Sequence, residues 1–180
     1  MNGQVDDSIL VRAAQNGDVD AFEDLVRRYQ TSIYRVALRM LGSRADAQDA
    51  AQETFVRAWR ALPRFRHDSA VSTWLYRIVT RRALDKIASR RTTGTLDEIE
   101  LELDAGQDPA QAAEHQERLR AVTRAIAHLP PEQRAALVLR EFEGLSYQEV
   151  AQVLGVGVPA IKTRIHRARL SVIQQTSSWQ

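Results

Sequence analysis

The chain has 180 residues, 44% of them apolar, and a net charge of +2, which is room for one ordinary domain or for two small ones whose helices share a core. It contains no cysteine, which excludes disulfides, thiolate zinc sites and cysteine nucleophiles and fits a reducing compartment. The start from Met1 to Asp7 is polar and acidic, and no apolar run approaches the ~18 residues of a membrane span. The expectation is a soluble cytoplasmic protein with no signal peptide and no membrane insertion.

The apolar spacing is helical nearly throughout. Phe22, Leu25, Val26, Tyr29, Ile33, Val36 and Met40 lie three or four residues apart, with one adjacent pair, and predict a long amphipathic helix that Gly42 ends. Ser43 to Asp46 reads as a cap, and Ala47, Ala51, Phe55, Ala58 and Leu62 line a second helix that Pro63 stops. A basic loop, Arg64 to Ser69, precedes a third helix marked by Trp74, Leu75, Ile78, Val79 and Ile87, to about Arg91. From Thr92 to Gln111 the pattern breaks into an acidic stretch with Gly94, Gly106 and Pro109, predicted as a flexible linker. Helical spacing resumes with Leu119, Val122, Ile126 and Leu129, breaks at Pro130-Pro131, and continues through Ala135, Val138, Leu139 and Phe142.

The C-terminal part predicts a helix-turn-helix. Ser146 and Glu149 form a capping box, Tyr147, Val150, Ala151 and Leu154 make one apolar face, and Gly155 ends the helix. Pro159 sits near the first turn of the next helix, where its missing N–H costs nothing. That helix carries Lys162, Arg164, Arg167 and Arg169, and residues 156–180 hold no acid. A cationic helix delivered by a tight turn fits a DNA major groove. The fold class is therefore all-α: two small helical domains, residues 8–91 and 112–176, joined by an acidic linker, 92–111.

Charge is segregated along the chain. Residues 57–91 hold ten Lys/Arg against two acids, and residues 92–117 hold eight acids and no Lys/Arg. With a second acid-free region at the C-terminus, the pattern points to polyanion contact at two separate places. Asp46, Asp49 and Glu53 share one helix face, which by spacing alone reads as a solvated stripe near a helix N-terminus. The loop Phe65-Arg66-His67-Asp68-Ser69 offers stacking and hydrogen-bonding groups to an unstacked base, and Arg77, Arg81, Arg82 and Lys86 add phosphate-neutralising charge behind it. Trp74, among apolar neighbours, reads as core.

Four motifs in order carry a family resemblance. Asp46 to Arg60 (DAQDAAQETFVRAWR), Phe65 to Arg77 (FRHDSAVSTWLYR), Leu129 to Arg140 (LPPEQRAALVLR) and Gly144 to Ala151 (GLSYQEVA) resemble segments of the extracytoplasmic-function sigma factors, a group of the bacterial sigma-70 family. The resemblance covers about residues 8–175, with a linker where larger relatives have a third region. It implies that the second helix docks on a coiled coil of the polymerase β′ subunit, with Asp46, Asp49, Gln52, Glu53, Phe55 and Trp59 as contact candidates; Phe55 and Trp59 also read as core. It implies that Phe65, Arg66, His67, Asp68, Ser69, Arg77, Arg81, Arg82 and Lys86 melt the minus-ten element and capture a flipped base. It aligns Lys162, Thr163, Arg164, His166 and Arg167 with the minus-thirty-five readers. Ile161 and Ile165 read as packing residues, and Ala151 as the small residue that lets two helices approach.

The implied partners are core RNA polymerase through β′ and β, promoter DNA, and an anti-sigma factor. Two positions depart from the family pattern: Arg81 stands where many relatives carry Asn, and Pro159 where Gly is common. The acidic residues Asp97, Glu98, Glu100, Glu102, Asp104 and Asp108 are either a solubilising spacer or a nucleic-acid mimic in the polymerase RNA path. A free-standing helix-turn-helix dimer leaves residues 43–91 without a purpose. An enzyme lacks support, since no metal-ligand set, phosphate loop or Ser/His/Asp motif occurs in a recognisable context. No catalytic residue, metal or cofactor is expected.

Overall fold

The computed structural model describes residues 6–93 and 109–177, so the acidic run from Asp97 to Asp108 lies outside the described residues. All the regular elements described are helical: α1 (Asp7–Gln15), α2 (Val19–Leu41), α3 (Arg44–Ala61), a 3-10 turn (Leu62–Arg64), α4 (Val71–Thr93), α5 (Pro109–Ala127), α6 (Pro131–Leu137), a π turn (Val138–Phe142), α7 (Tyr147–Leu154) and α8 (Val158–Thr176). The all-α expectation is borne out. Helix α1 had no counterpart in the sequence reading, and α4 and α5 reach into the two ends of the stretch expected as linker.

Local chemistry sets the helix ends. Asp18 caps α2 by accepting from the Ala21 N–H at 3.1 Å, and Gly42 closes it at φ 72°. Ser43 then caps α3 by accepting from the Asp46 N–H at 3.3 Å. Two helices thus meet in one left-handed residue and one hydroxyl, and α3 packs back on α2. Leu62 and Pro63 do not end the chain's coiling at once but carry it through the 3-10 turn.

In the first module α2 is central, with α1, α3 and α4 packed on it. Ile33, Val36, Ala37 and Met40 are fully buried along its inner stripe. The inner face of α3 runs through Ala47, Ala50, Thr54 and Ala58, with Ala51 and Phe55 at its edge. Thr54 is tolerated there because its hydroxyl donates to the Ala50 carbonyl at 2.7 Å. In the second module Leu129, Val138, Leu139, Val150, Ile161 and Ile165 form the core beneath α5, α6, α7 and α8. Removing the apolar bulk at any of the fully buried large positions costs about 2–5 kcal/mol.

The reading of two tethered domains is extended in one respect. The modules touch: α7 packs on α4, and α5 and the π turn pack on α2. Their buried residues form one continuous cluster.

The capping box of α7 is present in full, with the Glu149 N–H donating to the Ser146 hydroxyl at 3.2 Å and the Ser146 N–H to the Glu149 carboxylate at 2.7 Å. Ser146→Ala is expected to destabilise by about 1 kcal/mol. The bonds with Ser146 hold the Glu149 carboxyl below its usual range. A carboxylate shifted down in the fold stabilises it above the unfolded-state pKa and loses that contribution as pH falls through the lowered value. The difference in urea midpoint between the native chain and Glu149→Gln should therefore be constant near neutrality and shrink on acidification below the ordinary carboxyl range. A difference that grows on acidification contradicts the assignment.

Candidate polymerase and nucleic-acid interfaces

The loop between α3 and α4 is built to hold a cavity. Gln15, at the end of α1, donates its amide to the Leu62 and Phe65 carbonyls at 3.0 and 2.8 Å. The Gln15 side-chain oxygen faces His67 Nε2 at 3.2 Å. His67 sits in the left-handed region at φ 59°, a conformation that histidine adopts more readily than most non-glycine residues. Phe65 packs on Trp74 at 4.8 Å between ring centroids and on His67 at 5.0 Å. The result is a cavity of about 350 Å³ with Phe65 and Trp74 as its apolar wall, Arg64, Arg66 and Arg77 as its cations, and Asp68, Ser69 and Gln152 as hydrogen-bonding groups. Trp74 is thus half-buried at a cavity wall, where the sequence suggested plain core.

On α4, Arg77 and Arg81 are exposed and Arg82 is half-buried. Lys86 differs from them, because it pairs with Asp46 across the α3–α4 contact, and Arg90 joins the same carboxylate. Lys86 therefore neutralises a carboxylate within the protein, and Asp46 turns inward. The three acids of α3 divide accordingly. Asp49 and Gln52 are exposed, and Glu53 pairs with Arg57 at 2.7 Å on the helix surface. The hydrogen bond from Arg57 holds the Glu53 carboxyl below its usual range, so it stays ionised. Trp59 packs on Phe22 at 4.9 Å yet remains 36% exposed, with Val56 exposed one turn away. The outer face of α3 thus combines acid with uncovered apolar surface.

On α8, Ile161, Ile165 and Ala168 are buried, and Lys162, Thr163, His166 and Arg167 point outward with Arg164 half-buried. The Thr163 hydroxyl donates to the Pro159 carbonyl at 3.1 Å. Lys162 lies 5.9 Å from the centre of the Tyr147 ring, which also faces the Arg140 guanidinium at 4.8 Å. Arg169 pairs with Glu141, so its charge is already matched. Gly157 precedes α8 without a side-chain cap, and Pro159 lies in the first turn, ahead of the outward-facing Lys162, Thr163, His166 and Arg167.

Sequence reasoning missed Gln15, Gln152, Tyr76, Arg134 and Glu143. None has a local pattern, because each acts on a partner far along the chain. No described helix is long and apolar enough to cross a membrane.

A helical module with an aromatic, arginine-lined cavity, followed by a helix-turn-helix whose second helix carries no acid, is an all-helical protein with two basic surfaces of the kind that suit nucleic acid. Comparison with known proteins sharpens this class. Residues 25–93 match the family description "Sigma-70 region 2", and residues 119–172 match "Sigma-70, region 4". The RNA polymerase sigma-H factor of Pseudomonas aeruginosa is 38% identical over 179 residues, covering 94% of this chain and 93% of that protein. The ECF RNA polymerase sigma-E factor of Escherichia coli K12 is 37% identical over 182 residues, covering 96% and 95%. Among solved structures, CnrH in complex with the cytosolic domain of CnrY is 29% identical, with a TM-score of 0.73 over 97% of this chain and 99% of that one. The sigma factor RpoE of Bartonella quintana, solved with the anti-sigma factor NepR, shares the fold at 20% identity and a TM-score of 0.72, over 90% of this chain and 100% of that one. The chain belongs to the sigma-70 family, in its extracytoplasmic-function group, and serves transcription initiation as an RNA polymerase sigma factor and not as an enzyme.

Proposed function

We propose that the two modules divide promoter recognition between them. Residues 8–91 bind core polymerase through Asp49, Gln52, Glu53, Phe55 and Trp59, with Asp46 supporting that helix from within. The same module captures a non-template base of the minus-ten element in the Phe65–Trp74 cavity. Residues 112–176 read the minus-thirty-five element with Lys162, Thr163, Arg164, His166 and Arg167, and residues 92–111 connect the two. The observation that carries this reading is the cavity itself: two aromatic rings beside three guanidinium groups, set between the α3–α4 connection and the first turns of α4.

The energetics are consistent without ATP. Extruding a base costs a few kcal/mol, and stacking on an aromatic side chain returns about 1–3 kcal/mol. Arg77, Arg81 and Arg82 add phosphate contacts, and Asp68 and Ser69 can bond base edges. Lys86, paired with Asp46, contributes to the field of α4 and not as a direct phosphate ligand.

An anti-sigma factor is the further partner: RpoE of Bartonella quintana, which shares this fold, is solved in complex with the anti-sigma factor NepR. Work beside polymerase implies a cytoplasmic location.

Initiation by the native chain and by Lys162→Ala with Arg167→Ala tests the upstream assignment. Removing a side chain that reads a base edge is expected to cost about 1–3 kcal/mol. Run-off transcription with core polymerase should fall on promoters with an intact minus-thirty-five element and change little on templates where that element is scrambled. An equal fall on both makes the two residues phosphate ligands; no fall on either makes them surface charge.

A further inference from the structure

Gln15 lies in α1, ahead of the residues 25–93 that match the region 2 description, yet it reaches the loop that walls the cavity. Its side-chain amide donates to the Leu62 carbonyl at 3.0 Å and to the Phe65 carbonyl at 2.8 Å, which bracket the 3-10 turn. Those carbonyls only accept, so they fix which end of the carboxamide faces them. The amide oxygen is left facing His67 Nε2 at 3.2 Å. That oxygen also only accepts, so Nε2 carries the proton and donates.

Helix α1 is a firm base for this contact. Leu10, Val11 and Ala14 are buried, and Asp7 accepts from both Arg28 and Tyr29 of α2. The helix also packs on the 3-10 turn and on α4. His67, by contrast, is exposed and left-handed at φ 59°. A left-handed residue other than glycine persists only where its surroundings hold it there. Here the Gln15 oxygen and the Phe65 ring, 5.0 Å from the imidazole, hold it. The cavity is lined from both sides of this turn, by Phe65 and Arg66 before it and by Asp68 and Ser69 after it. His67 therefore sets the reversal that brings both pairs to one cavity.

We propose that Gln15 and His67 are positioning residues for base capture: they hold the Phe65 ring and the hydrogen-bonding groups of the loop in the capturing arrangement before nucleic acid arrives. This rests on the reading that the cavity takes a minus-ten base. A loop ordered in advance loses less freedom on binding and keeps more of the affinity of its contacts. Loss of Gln15 should then remove affinity that depends on the captured base and spare affinity that comes from phosphates. The carboxamide itself is required. Gln15→Glu keeps the size and an acceptor for His67 but has no donor for the Leu62 and Phe65 carbonyls, so it should fail as fully as Gln15→Ala. A residue that only filled space would be rescued by glutamate.

The test uses holoenzyme assembled from core polymerase and the full chain. It is titrated against labelled fork-junction DNA whose non-template minus-ten strand is single, with each position in turn made abasic. For the native chain, one abasic position should weaken binding roughly tenfold, the effect of losing one stacked base. Gln15→Ala and Gln15→Glu should shrink that factor to roughly twofold, bind the abasic DNA as the native chain does, and keep the native salt slope. His67→Ala should give an intermediate factor; it alters only an exposed loop residue and decides the question if the Gln15 variants fold poorly. Equal weakening on intact and abasic DNA, native behaviour of Gln15→Glu, or an undiminished factor in the variants overturns the proposal. A native holoenzyme with no position-dependent factor removes the base-capture reading and this inference with it, whereas a native factor that survives in the variants removes only the role of Gln15 and His67.

Discussion

Replacing Asp49 and Glu53 with arginine is expected to abolish association with core polymerase while leaving the fold in place. The two changes act on very different energies. Asp49 is exposed, and Glu53 makes a surface pair with Arg57, one turn on. Such pairs contribute about 0.3–0.5 kcal/mol, and a like-charged neighbour costs a similar amount. The fold is therefore destabilised by on the order of 1 kcal/mol. At an interface, opposed like charges cost several kcal/mol, enough to lower affinity by two or more orders of magnitude. Co-elution with core polymerase, alongside thermal unfolding of the isolated variant, measures both quantities. Retained co-elution removes α3 from the polymerase interface.

Arg134→Ala is expected to be the most destabilising single polar substitution in the second module. Its guanidinium ties the Met40 carbonyl at the end of α2 to the Ala127 carbonyl at the end of α5 and the Leu129 carbonyl just beyond it. Burial pushes Arg134 down to about 10, with Arg91 adding to the effect, so it remains charged at neutral pH. Bonds from a charged donor contribute about 1.5–3 kcal/mol each, and desolvation of the guanidinium offsets part of that sum. A net destabilisation of about 2–4 kcal/mol follows, roughly 5–15 °C in Tm for a chain of this size. Arg134→Lys should recover little, because an ammonium lacks the fork that reaches two helix ends at once. A change under about 0.5 kcal/mol would show that water satisfies these carbonyls equally well.

Helix existence was legible because it rests on local chemistry. Gly42, Ser43, Ser146 and Gly155 each mark a boundary through their own backbone or hydroxyl, and all four do so in the structure. The outward set on α8 was legible too, since Ile161 and Ile165 fix which face turns inward. The inner face of α3 was harder. It is lined by alanines and a threonine whose hydroxyl is satisfied within the helix, so hydrophobicity alone does not centre it. Ion pairing was illegible. Asp46 looked like one of three surface acids, and Lys86 like one of several free cations, until α3 and α4 were brought together. Gln15, Arg134 and Glu143 bond to partners 47 to 104 residues away in the chain, where no periodicity reports them. Trp74 was read by its neighbours in sequence; its place at a cavity wall depends on Phe65, which the loop folds over it.

The central claim is that the two modules open and read a promoter only when core polymerase holds both. Permanganate footprinting of unpaired thymines at a mapped promoter tests it most directly, with the chain alone, core polymerase alone, and the two combined. The account predicts reactive thymines in the minus-ten region for the combination and for neither component alone. Reactivity with the isolated chain, or a combination that stays duplex, would contradict it.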